Sequence, residues 1–61
     1  MLLCFEIYQS PHDLLFYWRL WFNGEIRATG HQGHIIAQQC RNEIDIVKST
    51  NPNTPDCVGS L

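Results

Sequence analysis

His31-x-x-His34 with Cys40 is the one metal-like constellation in this 61-residue chain. Zinc takes three or four nitrogen or sulfur donors in a closed tetrahedron, so a further ligand would have to come from Cys4, Cys57, His12 or a partner chain. Cys40 falls on the apolar stripe of the helix described below, where a thiol behaves as a small hydrophobe. The two histidines therefore read as loop residues, and neither metal nor cofactor is assigned. Nucleophilic catalysis needs a thiolate or hydroxyl held beside a base. Cys4 lies on a terminal strand and Cys57 in a loose tail, and neither would hold a nucleophile rigidly. Glu6, Glu25, Glu43 and Asp45 show no spacing that enforces a carboxylate pair. The loop from Gly30 to Gly33 lacks the lysine and the pattern of a phosphate loop. The chain is expected not to be an enzyme, and no small-molecule substrate is assigned.

A different chemistry is written in Tyr17, Arg19, Trp21 and Arg27. Set on one face of a hairpin, these aromatics and guanidinium groups could stack bases or another planar ligand. They are also the residue types enriched at protein interfaces. With four basic and six acidic residues and a formal charge of −2, nucleic acid is the disfavoured partner.

The elements that must position these residues follow from periodicity. Leu3, Phe5 and Ile7 alternate with Cys4, Glu6 and Tyr8, the signature of a strand with one buried face over residues 3 to 9. Ser10-Pro11-His12-Asp13 is a turn cluster. A second strand runs from Leu15 to Phe22, Asn23-Gly24 supplies a hairpin signal, and a third strand spans Glu25 to Thr29. A three-residue loop, Phe22-Asn23-Gly24, would collect Phe16, Trp18, Leu20, Ile26 and Ala28 on one face, pairing Leu20 with Ile26 and Trp18 with Ala28. A two-residue loop would split that set, so the longer loop is expected. The opposite face then carries Tyr17, Arg19, Trp21, Glu25 and Arg27, with Tyr8 near them. Beyond Gly33 the period changes to 3.6: Ile36, Cys40, Ile44 and Val47, with Ala37 beside them, predict a helix from about 35 to 50, stopped by Pro52. Its start lacks a Ser, Thr, Asp or Asn cap.

Length and composition bound the rest. The chain allows one small domain, marginal unless reinforced, yet 44% of it is apolar and it holds seven aromatics. Three cysteines are an odd set without CxxC spacing, which predicts reduced thiols and a cytoplasmic location. No apolar run approaches transmembrane length. Residues 53 to 61 read as a flexible C-terminal tail after a domain over 1 to 52.

Phe5-Glu6-Ile7-Tyr8, Trp18-Arg19-Leu20, Asn23-Gly24-Glu25-Ile26, Gly33 and Ile44-Asp45-Ile46-Val47-Lys48 together resemble one repeat of the YegP-like family, small and mostly bacterial proteins. The likeness covers residues 4 to 52. It implies a βββα unit present as a tandem pair or as one self-associating copy, and it implies no activity. The sequence departs from the family where a Gly-Tyr-Ser-Ser-type helix start is replaced by Gly33-His34-Ile35-Ile36, and where Ile46 replaces a small polar residue. Ile35 and Ile46 are eleven residues apart, about three helical turns, so both fall on one flank of the helix. The expected molecule is therefore an α+β protein, a three-stranded, mostly antiparallel sheet with one helix on one face. A homodimer is expected to complete it, with Tyr17, Trp21, Ile35, Ile46 and the edge of the first or third strand as interface. Such a protein would be a non-enzymatic interaction module, and the alternative is a nucleic-acid or planar-ligand binder using Tyr17, Arg19, Trp21 and Arg27.

Overall fold

A computed structural model describes residues 3–48 and 53–61. Strand β1 spans Leu3–Gln9, β2 Phe16–Phe22 and β3 Glu25–Thr29, followed by helix α1, Ala37–Lys48. The strands form one antiparallel sheet in the order β1-β2-β3. The helix packs on one face of that sheet, so the α+β, βββα arrangement is present. Pro52, the expected helix stop, lies outside the described residues.

Period-two alternation sends Phe5, Ile7 and Trp18 inward, where they meet Cys40 and Ile44 of α1 in one buried cluster. Phe16, Leu20, Ala28 and Ala37 pack around it. Phe5 and Trp18 meet edge to face with ring centroids 5.7 Å apart. Glu43 fastens the helix to the sheet, because its Oε1 accepts from Trp18 Nε1 at 3.2 Å and lies 2.7 Å from His34 Nε2. His34 also exchanges both backbone hydrogen bonds with Phe16, which seats its ring beside the helix. Helix α1 begins at Ala37, two residues later than expected. Ile36 contributes only its carbonyl, which accepts from Gln39 N–H. Ile36 is exposed and Val47 is 39% exposed, so the inward stripe is the buried pair Cys40 and Ile44 with half-buried Ala37 beside them.

The hairpin corrects the expected loop. Asn23 (φ 50°) and Gly24 (φ 84°) both lie in the left-handed region, and Phe22 faces Glu25 directly across a two-residue loop. A bulge opposite the Leu20–Trp21 step then inserts Arg27, so Leu20 faces Ala28 instead of Ile26. This device returns Ala28 to the inward side, where a plain two-residue loop would have set it opposite Arg19. Ile26, before the bulge, stays where the two-residue loop puts it, opposite Trp21, 47% exposed and outside the core.

The C-terminal residues overturn two expectations. Cys4 and Cys57 form a disulfide across a sequence separation of 53, so of the three thiols only Cys40 is unbonded. An odd cysteine count left the pair invisible, since the third member is simply core. The segment expected as a tail lies along the outer edge of β1. Phe5 N–H donates to Pro55 O, Cys57 N–H to Phe5 O, and Leu61 N–H to Ile7 O, while Ile7 N–H donates to Ser60 Oγ. The reason is that a strand edge offers unpaired backbone groups to any extended chain that reaches it. Asp56 ties the same segment to the helix by a bidentate pair with Arg41 at 2.7 and 3.0 Å and by Lys48 at 3.6 Å.

Candidate functional site: the outer face of the sheet

The face away from α1 carries three cross-strand pairs, Cys4 with Trp21, Glu6 with Arg19 and Tyr8 with Tyr17. Alternation along β1 and β2 puts all six side chains on this side, and the antiparallel register brings them into one patch. Tyr8 stacks on Tyr17 with centroids 5.9 Å apart and planes 24° from parallel. The Arg19 guanidinium carbon sits 4.1 Å from the Tyr8 centroid and 5.1 Å from that of Trp21. Tyr17, Tyr8, Arg19 and Trp21 thus make a continuous aromatic–cation row across two strands.

Glu6 fixes the row's chemistry. Its Oε1 accepts from Arg19 Nε and from Trp21 Nε1, the latter at 2.8 Å. The Arg19 hydrogen bond is the main reason its carboxyl lies below the ordinary value of 4.5, with the Trp21 indole and the Arg19 charge adding to it against the opposing effect of burial. The guanidinium therefore faces the outside already matched to a carboxylate. At the other end, Tyr17 Oη donates to Asp13 Oδ2 at 2.6 Å, which raises the Tyr17 phenol and lowers the Asp13 carboxyl. Gly33 sits against the same side chain, since a Cβ there would stand 2.7 Å from both Tyr17 Oη and Leu15 Cδ1.

Beside Trp21 opens a cleft of about 310 Å³ lined by Cys4, Glu6, Trp21, Gly24, Cys57 and Val58. The disulfide forms part of its wall, and Val58 is fully exposed at its rim.

Of the residues assigned from sequence, Tyr17, Arg19 and Trp21 come together. Arg27 does not join them, because the bulge turns it to the Phe22 ring, 5.2 Å from its centroid, and to Glu25 at 4.0 Å. Ile35 and Ile46 are 80% and 74% exposed, but they lie before and on α1, the layer across the sheet from Tyr17 and Trp21. One flat contact cannot take all four. Glu6 and the disulfide escaped the sequence reading because they depend on the β1–β2 register and on the C-terminal docking, whereas Asp13, four residues from Tyr17, was read only as a turn residue. Period-two alternation was the available signal for Glu6, which shares its face with Tyr8.

The histidine and cysteine set does not converge. His34 is taken by Glu43, His31 is exposed, and among the described residues no three His, Cys, Asp or Glu side chains gather around a cation position. Cys40 is fully buried, and burial, then the Glu43 charge, pushes its thiol up, which suits packing better than nucleophilic attack. Among the described residues no helix is long and apolar enough to cross a membrane. Comparison of the chain with protein families, with curated proteins and with solved structures finds no match.

Proposed function

We propose that this chain is a small non-enzymatic interaction module whose working surface is the outer face of the sheet, and whose partner is a second copy of itself. The observation that carries this reading is the Glu6-neutralised row of Tyr8, Tyr17, Arg19 and Trp21. Two such faces can meet about a two-fold axis without like-charge repulsion, each offering one guanidinium and one carboxylate with rigid aromatic area around them. Phosphate readers need cations not already paired, so the same pairing argues against nucleic acid. The likeness to YegP-like repeats supports association of two βββα units. The cleft beside Trp21 supports a second reading, a planar small ligand stacked on the indole, since its volume reaches the lower end of ligand pockets.

The cytoplasmic reading rested on reduced thiols. With Cys4 bonded to Cys57, an oxidising compartment is the better supported setting.

Sedimentation equilibrium at micromolar concentration tests the partner. The wild-type chain is expected at twice its 7.1 kDa mass. Trp21→Ala should return it to one chain mass, whereas Ile46→Ala should leave the dimer intact. A wild-type monomer whose Trp21 emission responds to planar aromatic compounds would favour the ligand reading instead.

A further inference from the structure

The disulfide borders the outer face beside Trp21, but the segment it holds lies along the β1 edge, and that edge has a consequence of its own. Residues 53–61 meet the β1 edge through four hydrogen bonds on Phe5 and Ile7, while Val58 and Leu61 stay exposed. Only Thr54 of this segment is buried. Its noncovalent hold is therefore these hydrogen bonds, one of them through Ser60 Oγ, the buried Thr54, and the Asp56 ion pairs with Arg41 and Lys48. Those contacts compete with the conformational freedom of the nine residues they order. The Cys4–Cys57 bond removes that competition by fixing the segment's midpoint beside β1. Both cysteines also line the open cleft next to Trp21, so in the single chain the bond is within reach of a soluble reductant.

We propose that Cys4–Cys57 is a redox latch whose reduction lets residues 53–61 lift from β1 while the sheet and helix stay folded, uncovering the β1 edge. A dithiol supplies the chemistry. One of its thiolates attacks a sulfur of the pair, forming a mixed disulfide and expelling the other cysteine as a thiolate. The second dithiol sulfur then displaces the remaining cysteine and closes a disulfide within the reductant. One S–S bond breaks and one forms, two electrons pass to the protein pair, and two protons end on Cys4 and Cys57. Released, the edge presents the N–H and C=O groups of Phe5 and Ile7 to an incoming strand. β3 offers no equivalent, being five residues long, bulged at Arg27 and charged at Glu25.

Amide hydrogen exchange on the full chain, with and without dithiothreitol, tests the latch. In the oxidised chain the amides of Phe5, Ile7, Cys57 and Leu61 should be protected. With dithiothreitol, exchange at Cys57 and Leu61 should accelerate at least about 100-fold, with Phe5 and Ile7 following. The amides that pair β2 with β3 and those of α1 should hold their protection, and reoxidation should restore the original pattern. Protection of Cys57 and Leu61 that survives reduction would overturn the proposal, as would collapse of protection throughout the chain. In the second case the bond is a staple of the whole fold. Arg41→Gln adds an independent check: it should speed Cys57 exchange further in the reduced chain and barely at all in the oxidised one.

Discussion

Glu6 shows how much one carboxylate decides here. By accepting from both Arg19 and Trp21 it orients the row and removes its net charge. Because its folded value lies below 4.5, it contributes stability above that pH and loses it as pH falls through the folded value. Asp56, lowered chiefly by Arg41, acts in the same direction. Glu6→Gln should therefore flatten the acid limb of a pH–stability curve and cost no more than about 1 kcal/mol at neutral pH, since the pair is partly solvated. Gly30→Ala tests the inner side of the sheet. A Cβ there meets three indole atoms of Trp18 at 3.0 Å or less, and that ring is held by Glu43 and Phe5. Urea denaturation should show a loss of about 1–3 kcal/mol. Leu14, exposed and in the left-handed region at φ 60°, should behave oppositely, with Leu14→Gly unchanged or stabilised by up to about 1 kcal/mol. At this scale the outward placement of Tyr17, Arg19 and Trp21 was legible from alternation alone. Arg27 was misplaced because a bulge breaks alternation without leaving a mark in residue type.

The elements divide in the same way. All three strands were readable, since apolar and aromatic residues fall between clear turn signals; α1 starts two residues late at its uncapped end, and its expected end near residue 50 lies outside the described residues. The C-terminal segment was not readable. Hydrogen bonds to the β1 edge, the Asp56 ion pairs and one disulfide hold it, so its Asn, Pro, Thr, Gly and Ser carry no apolar period to detect. For a bond spanning 53 residues the chain-entropy contribution is about 4 kcal/mol. Reduction should lower the urea midpoint with a loss short of that ceiling, because the segment can open without the rest. An unchanged midpoint would mean that the bond does not reinforce the fold.

As a whole molecule the chain exposes 4295 Å², close to the about 4100 Å² expected of a folded monomer of its mass. Its β1 edge is closed by its own C-terminus and its β3 edge is short, bulged and charged. The second copy expected to cover an edge is therefore not needed there, and the association proposed above falls to the outer face. Small size argued for reinforcement, and the disulfide is the reinforcement that composition did not reveal. The most direct test of face-to-face association is isotope-filtered NOE spectroscopy on a mixture of labelled and unlabelled oxidised chains. Contacts between copies should appear at the rings of Tyr8, Tyr17 and Trp21. Contacts at Ile35 and Ile46 instead, or none at any concentration, would contradict the account.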